Sequence, residues 1–253
     1  MFLLIKEKHM LRFTGVLIFV VLFLVLSSPL MFIEWIIGKF NEDLKNRSSL
    51  AIVNWAFRCV IFICGTKVTV IGEENVPKDT PVLYVANHRS YFDIILTYIR
   101  VPRPTGYISK KEMEKIPLLS IWMRRLNCLF LDRENIKEGM KTILSGIDLV
   151  KKGVSVCIFP EGTRNKVEDT FLPFHEGSFK IAEKTGAPII PMTINNSAAI
   201  FENQAPKIRK AHVIIEYGKP ILLSELDKEE KKFIGAKVQK IIEETYFKNK
   251  ELV

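Results

Sequence analysis

An imidazole and a carboxylate stand five positions apart in VLYVANHRSYFDIILTYI, residues 82–99. A carboxylate on one imidazole nitrogen fixes the tautomer and supports positive charge on the ring, leaving the other nitrogen to act as a base. On a continuous helix His88 and Asp93 would point about 140° apart. They can meet if His88 lies in a turn and Asp93 in the first turn of the following helix. The competing reading is a capped surface turn, with Asn87 and Ser90 as caps and His88 incidental.

A second constellation is VCIFPEGTRNK, residues 156–166. A buried strand runs into Phe159-Pro160 and then Glu161-Gly162-Thr163-Arg164. Glycine lets backbone approach a ligand closely, threonine offers a hydroxyl, and arginine offers a planar fork for phosphate oxygens. Taken alone it also fits an ordinary strand-to-loop turn with a solvent-facing arginine. His175, in PFHEGSFK, has only Glu176 nearby and is not taken as the base. His9 and His212 are read as ordinary. Cys157 lies inside a strand and reads as an inert core thiol.

The elements that must position these residues follow from pattern. KVTVI (67–71), VLYVA (82–86), GYIS (106–109), CLFLD (128–132), VSVCIF (154–159), PIIPMTI (188–194) and HVIIEYG (212–218) read as strands. DIILTYIR, residues 112–126, ENIKEGMKTILSGIDLVKKG and GSFKIAEKTG read as helices, with Gly153 and Gly186 as stops. The last helix is expected to start at SELD, with Ser224 as cap and Asp227 answering it. Strands alternating with helices imply an α/β fold, a mostly parallel mixed sheet flanked by helices. A strand feeding a helix through a short turn puts that turn at the carboxyl end of the sheet, where such folds bind ligands.

Apolar residues make up 48% and charged residues 26% of the 253 positions, which argues against wholesale disorder. The formal charge of +9 points to an anionic partner, and nucleic acid, anionic lipid and phosphorylated substrates all satisfy it. The N-terminus selects among them. Residues 13–33 carry no charge and follow Lys6, Lys8 and Arg12, and the run is too long for a signal peptide. It is long enough to cross a bilayer, which takes about 20 residues. A second apolar run, residues 50–65, contains Asn54 and Arg58 on one helical face and suits an amphipathic helix at the interface. The expectation is a helical membrane hairpin over residues 1–65 and an α/β domain over 66–253 that faces the cytoplasm. Lipid, not nucleic acid, is the expected partner. Cys59, Cys64, Cys128 and Cys157 form no CxxC pair and read as reduced thiols, and the four histidines have no metal-ligand spacing.

NHxxxxD followed some 70 residues later by FPEGTR resembles the glycerolipid acyltransferases, in particular the 1-acyl-sn-glycerol-3-phosphate (lysophosphatidic acid) acyltransferase family. CLFLDR at 128–133 looks like the family's second block, PIIPMTI at 188–194 like its fourth, and SKKEMEKIPLL like its lysine-containing segment. Asn127 departs from a glycine common before the second block; His175 and Glu176 depart from residues common after the third. The resemblance implies membrane-bound transfer of a fatty acyl group from acyl-CoA or acyl carrier protein to the sn-2 hydroxyl of lysophosphatidic acid, with no other cofactor. His88 would be the base, Asp93 its partner and Arg164 the phosphate grip. Gly162 and Thr163 would shape the loop and Glu161 would hold either the loop or the glycerol part, with Lys110 or Lys111 and Arg133 as further positive charges. Backbone N–H groups near the dyad would stabilise the oxyanion. Glycerol 3-phosphate or another lysophospholipid is the alternative acceptor. A hydrolase or a non-catalytic protein binding anionic lipid are alternatives of different classes.

Overall fold

The computed structural model describes residues 2–253, with side chains from Lys8 onward. Seven strands form one sheet: β1 (Lys67–Ile71), β2 (Leu83–Ala86), β3 (Thr105–Lys110), β4 (Leu129–Leu131), β5 (Ser155–Ile158), β6 (Ile189–Asn195) and β7 (His212–Tyr217). All seven runs read from the sequence are strands. Their spatial order is β1-β7-β6-β2-β5-β3-β4. Every neighbouring pair is parallel except β6 and β7. Five strands, β6-β2-β5-β3-β4, therefore end at the same edge, and the loops that follow them line up along it.

Alternating residues of the central strands build two cores. Tyr84, Ala86, Cys157, Tyr107, Ile190 and Met192 belong to one cluster; Leu83, Val85, Val156, Ile158, Ile108 and Ile189 belong to the other. That alternation is the period-two geometry of a strand covered on both faces. The second cluster is closed by α6 (Ile136–Lys151), α7 (Lys180–Thr185) and α9 (Ile234–Lys250), through Ile147, Val150, Ile181, Val238 and Ile242.

The first cluster is covered from the N-terminal side by α1 (Phe2–Leu26), α2 (Ser28–Phe40) and α3 (Glu42–Cys64), with α4 (Phe92–Tyr98) and α5 (Leu119–Arg125) beneath them. Gly15 faces Ile63, and Phe23 packs on Trp55, so α1 and α3 run antiparallel. Lys8–Leu26 and Glu42–Cys64 are long and apolar enough to cross a membrane. Two details differ from the sequence reading. The uncharged run 13–33 is not one helix; it breaks at Ser27, and Pro29 is the second residue of α2, in the first turn, where its missing N–H costs nothing. The second segment begins at Glu42, capped by the Asn41 side chain, and not at residue 50.

α3 is also partly a core helix. Leu50, Val53, Val60 and Cys64 join the sheet's cluster, and the Arg58 guanidinium donates to the Ile99 carbonyl at 3.2 Å. Its polar face is buried as well. Glu34 of α2 accepts from the hydroxyls of Ser48 (2.9 Å) and Ser49 (3.1 Å), and Trp122 of α5 donates to Ser27 at 2.9 Å. The N-terminal helices are thereby fixed against the sheet and hold it at a set orientation to whatever apolar medium covers Leu17, Val21, Phe32, Trp35 and Phe62, all exposed.

Three further local readings are corrected. The stretch 112–126 is not one helix: a short 3-10 turn, Lys111–Lys115, precedes α5, because the residue before Pro117 avoids the helical region. α8 (Lys228–Lys232) is capped by Asp227 in a full capping box with Glu230, whereas Ser224 sits in a 3-10 turn upstream. The C-terminal helical stretch is interrupted at Phe233 before α9. Asn127, where a glycine was the common residue, has φ 59°, a left-handed conformation that asparagine tolerates better than most side chains.

Candidate active site

β2 and β5 are adjacent and parallel, so the turn after Ala86 and the loop after Ile158 leave the same edge side by side. His88 lies in the turn and Asp93 is the second residue of α4. The His88 Nδ1 and Asp93 Oδ2 are 2.8 Å apart. The same Oδ2 accepts from the backbone N–H of Arg89 (2.7 Å) and of Ser90 (2.8 Å), while Oδ1 is buried with no partner. A carboxylate so placed accepts Nδ1–H and leaves Nε2 as the free basic nitrogen. The imidazole stacks on Phe159, centroids 4.2 Å apart and planes within 20°, so its plane is set by an apolar ring from β5's loop.

Asn87 fastens the turn to the other neighbour. Its Nδ2 donates to the Ile194 carbonyl (2.9 Å) and its Oδ1 accepts from the Ile194 N–H (2.8 Å), so the side chain substitutes for a peptide unit of β6. Asn87 is a clamp between the turn and β6 and not a helix cap; of the two expected caps only Ser90 accepts an N–H of the first turn, from Phe92, and His88 is not incidental, because it pairs with Asp93.

Glu161 binds the two loops together from the β5 side. Oε1 accepts from the His88 N–H at 2.8 Å and Oε2 from the Leu172 N–H at 3.1 Å. It is 4% exposed, and burial raises its carboxyl above the ordinary range, opposed by these two N–H donors. With both oxygens engaged by backbone, its place is inside the loop. Gly162 has φ +73°, and a Cβ there would approach the His175 ring at 3.3 Å. Thr163 is exposed beside it.

Arg164 lies with its guanidinium 3.6 Å over the ring of Tyr91, and its Nη1 reaches the Glu202 carboxylate at 3.4 Å. The arginine fork of one loop thus sits on the aromatic ring of the other, three residues from His88. Arg164 lines a cavity of about 600 Å³ with Arg89, Lys166, Asn195 and Glu202.

Lys110, Lys111 and Arg133 are brought together, but in a cleft of their own, about 350 Å³, over the ends of β3 and β4. That is two and three strand spacings from β2, about 10 and 14 Å along the edge. Lys111 is paired with Asp132 at 2.9 Å. The turn that carries the dyad does not offer the expected oxyanion donors. All five N–H groups of residues 88–92 are engaged: by Glu161, by Asp93 twice, by Glu202 and by the Ser90 hydroxyl. The turn has no spare donor: three carboxylates take four of the five N–H groups and the Ser90 hydroxyl takes the fifth.

Sequence reasoning missed Arg89 and Glu202. Arg89 donates to the carbonyls of Val167 (2.8 Å) and Thr170 (2.6 Å), tying the base turn to the loop beyond Arg164. Glu202 follows β6 and carries no motif; only the adjacency of β6 and β2 reveals it. Cys157 is fully buried and its thiol is pushed up by that burial, in keeping with an inert core residue. Glu176 caps the start of α9 through the Gly235 N–H and does not address His175. His212 bonds Thr69 at 2.8 Å across β1 and β7.

Comparisons with known proteins place the chain in a family. Over 179 residues the chain is 32% identical to the 1-acyl-sn-glycerol-3-phosphate acyltransferase of Saccharomyces cerevisiae, covering 70% of this chain and 58% of the relative. It is 31% identical over 155 residues to the protein of the same name from Borreliella burgdorferi, covering 61% and 62%. These alignments span about three-fifths of each relative. The crystal structure of the 1-acyl-sn-glycerophosphate acyltransferase PlsC from Thermotoga maritima superposes with a TM-score of 0.80 over 95% of both chains at 24% identity, which shows a shared fold. The Acyltransferase family profile matches residues 67–195, from β1 to the end of β6 and across both motif loops, and the chain belongs to that family.

Proposed function

We propose that the protein transfers a fatty acyl group from an acyl thioester, acyl-CoA or acyl carrier protein, to the sn-2 hydroxyl of lysophosphatidic acid, forming phosphatidic acid at a membrane surface. The observation that carries the reading is the 2.8 Å contact between His88 and Asp93 with Arg164 stacked on Tyr91 of the same turn. His88 Nε2 takes the hydroxyl proton as the oxygen attacks the thioester carbonyl, and Asp93 stabilises the imidazolium that forms. The tetrahedral intermediate collapses with cleavage of the C–S bond. The thiolate leaves and is protonated by the imidazolium, which restores the neutral base and releases a thiol.

Arg164 holds the acceptor's phosphate with Gly162 and Thr163 shaping the loop. Lys110 and Arg133, farther along the edge, add positive potential for an anionic substrate. The apolar helices keep the reacting edge at headgroup level, where the lysolipid resides and a soluble donor has access. A cytoplasmic orientation fits the four free cysteines and the basic residues that precede the first apolar run.

The test is purified protein in lipid micelles with acyl-CoA and acyl carrier protein as donors and lysophosphatidic acid, glycerol 3-phosphate and other lysophospholipids as acceptors, products identified by mass. His88→Ala is expected to fold, to stay with the lipid and to lose transfer. Unimpaired turnover in that variant ends the proposal, and fatty acid released without acceptor would make the protein a hydrolase.

A further inference from the structure

Glu202 lies beyond the span matched by the family profile, in a 3-10 turn after β6. Its two oxygens reach both motif loops. Oε2 accepts from the Ser90 hydroxyl at 2.6 Å; Oε1 accepts from the Tyr91 N–H at 2.8 Å and faces Arg164 Nη1 at 3.4 Å. The first two contacts are short and hold the base turn. The third is long, and among the described residues it is the only hydrogen bond the Arg164 guanidinium makes. The arginine is otherwise held by the face of Tyr91 alone. A guanidinium with one long bond and an open fork is held in place without being saturated.

The functional reading above puts a phosphate on that fork, and the following rests on it. We infer that Glu202 is a positioning residue that holds Arg164 against Tyr91 while the site is empty and competes with the acceptor's phosphate for it. A dianionic phosphate makes paired, charge-assisted bonds with the fork that a single carboxylate oxygen at 3.4 Å does not. Glu202 keeps its bonds to Ser90 and Tyr91 when it loses Arg164, so the base turn stays in place as the acceptor binds. After product leaves, the same oxygen takes Arg164 back.

The variant that separates these roles is Glu202→Gln. Its amide oxygen still accepts from Tyr91 and its amide nitrogen donates to the Ser90 oxygen, so the turn is kept while the charge is removed. With donor saturating, the KM for lysophosphatidic acid is expected to fall about 5-fold. That is roughly 1 kcal/mol at 1.36 kcal/mol per decade, as befits a charge pair that is partly solvent-screened. Competitive inhibition by inorganic phosphate tightens by the same factor, and the KM for donor does not change. In the Arg164→Gln background the substitution changes neither quantity, since the two residues act as one unit.

An unchanged or raised acceptor KM in Glu202→Gln overturns the inference, as does an equal effect with Arg164 absent. A purely structural role would lower kcat and melting temperature and leave phosphate inhibition alone. Stabilisation of the wild-type and variant proteins by inorganic phosphate in a thermal melt reads the same competition without turnover. An inactive wild type whose phosphate-induced shift still grows in Glu202→Gln would sink the proposed reaction and keep this inference.

Discussion

Replacing Asp93 with asparagine tests the catalytic geometry most directly, because it changes charge at constant shape. Oδ2 receives three hydrogen bonds, from His88 Nδ1 and two backbone N–H groups, and the side chain is fully buried. An amide oxygen can still accept all three, but each loses its charge assistance, about 1 kcal/mol apiece. The new amide nitrogen would occupy the place of Oδ1, which has no partner, and a buried donor without an acceptor costs about 1–3 kcal/mol. The folded state should therefore lose on the order of 4 kcal/mol.

The rate suffers separately. With charge centres about 4 Å apart and an effective dielectric constant of about 20, an imidazolium loses roughly 4 kcal/mol of attraction when the carboxylate is neutralised. Only the transition state carries that charge, so kcat should drop by about 10³. The assay is thiol release from the acyl thioester, run well below the variant's melting temperature, with the folded fraction measured in parallel. Asp93→Asn within tenfold of wild type, once corrected for folded fraction, would refute the view that Asp93 supports a cationic His88.

Gly162→Ala forces a left-handed residue and pushes a methyl against the exposed His175 ring. The backbone term costs about 1–2 kcal/mol. A modest fall in melting temperature with a raised acceptor KM is expected, and unchanged values would show that the loop's conformation is not constrained. At alkaline pH the sign is fixed by burial. Cys128, Cys157, Tyr84, Tyr98, Tyr107 and Tyr217 all have folded-state pKa values raised by desolvation. Their unfolded counterparts ionise near pH 8.5 for thiols and 10 for phenols. Stability is then complete below those values and lost as pH rises through them, on the order of 2 kcal/mol at pH 10 for the fully buried Cys157. Melting temperature should decline steadily from pH 8.5 upward, and a flat profile to pH 10.5 would contradict the buried placement of these groups.

Seven strands and the dyad were legible in the chain for a shared reason: each is a local pattern. An apolar, β-branched run buried on both sheet faces announces itself, and His88 and Asp93 need only a turn and one helical step to meet. Local signals also misled at the boundaries. The uncharged run 13–33 hid the break at Ser27, and Ser224 was a plausible cap until Asp227 took the role with Glu230. Hydropathy shows no kink, and one capping residue looks like another until the N–H groups are placed.

The chain alone nominates the residues for the proposed chemistry and shows that their loops follow strands. Only the tertiary structure decided which loops are neighbours, because the pairings that bring the site together join distant segments, Leu83 of β2 with Val156 of β5 and with Ile189 of β6. The strand order puts Arg164 on Tyr91, sends Lys110 and Arg133 to a separate cleft, and brings Glu202 from beyond β6 to the base turn. Side-chain charge is written in the chain, but the distance over which it acts is set by the fold.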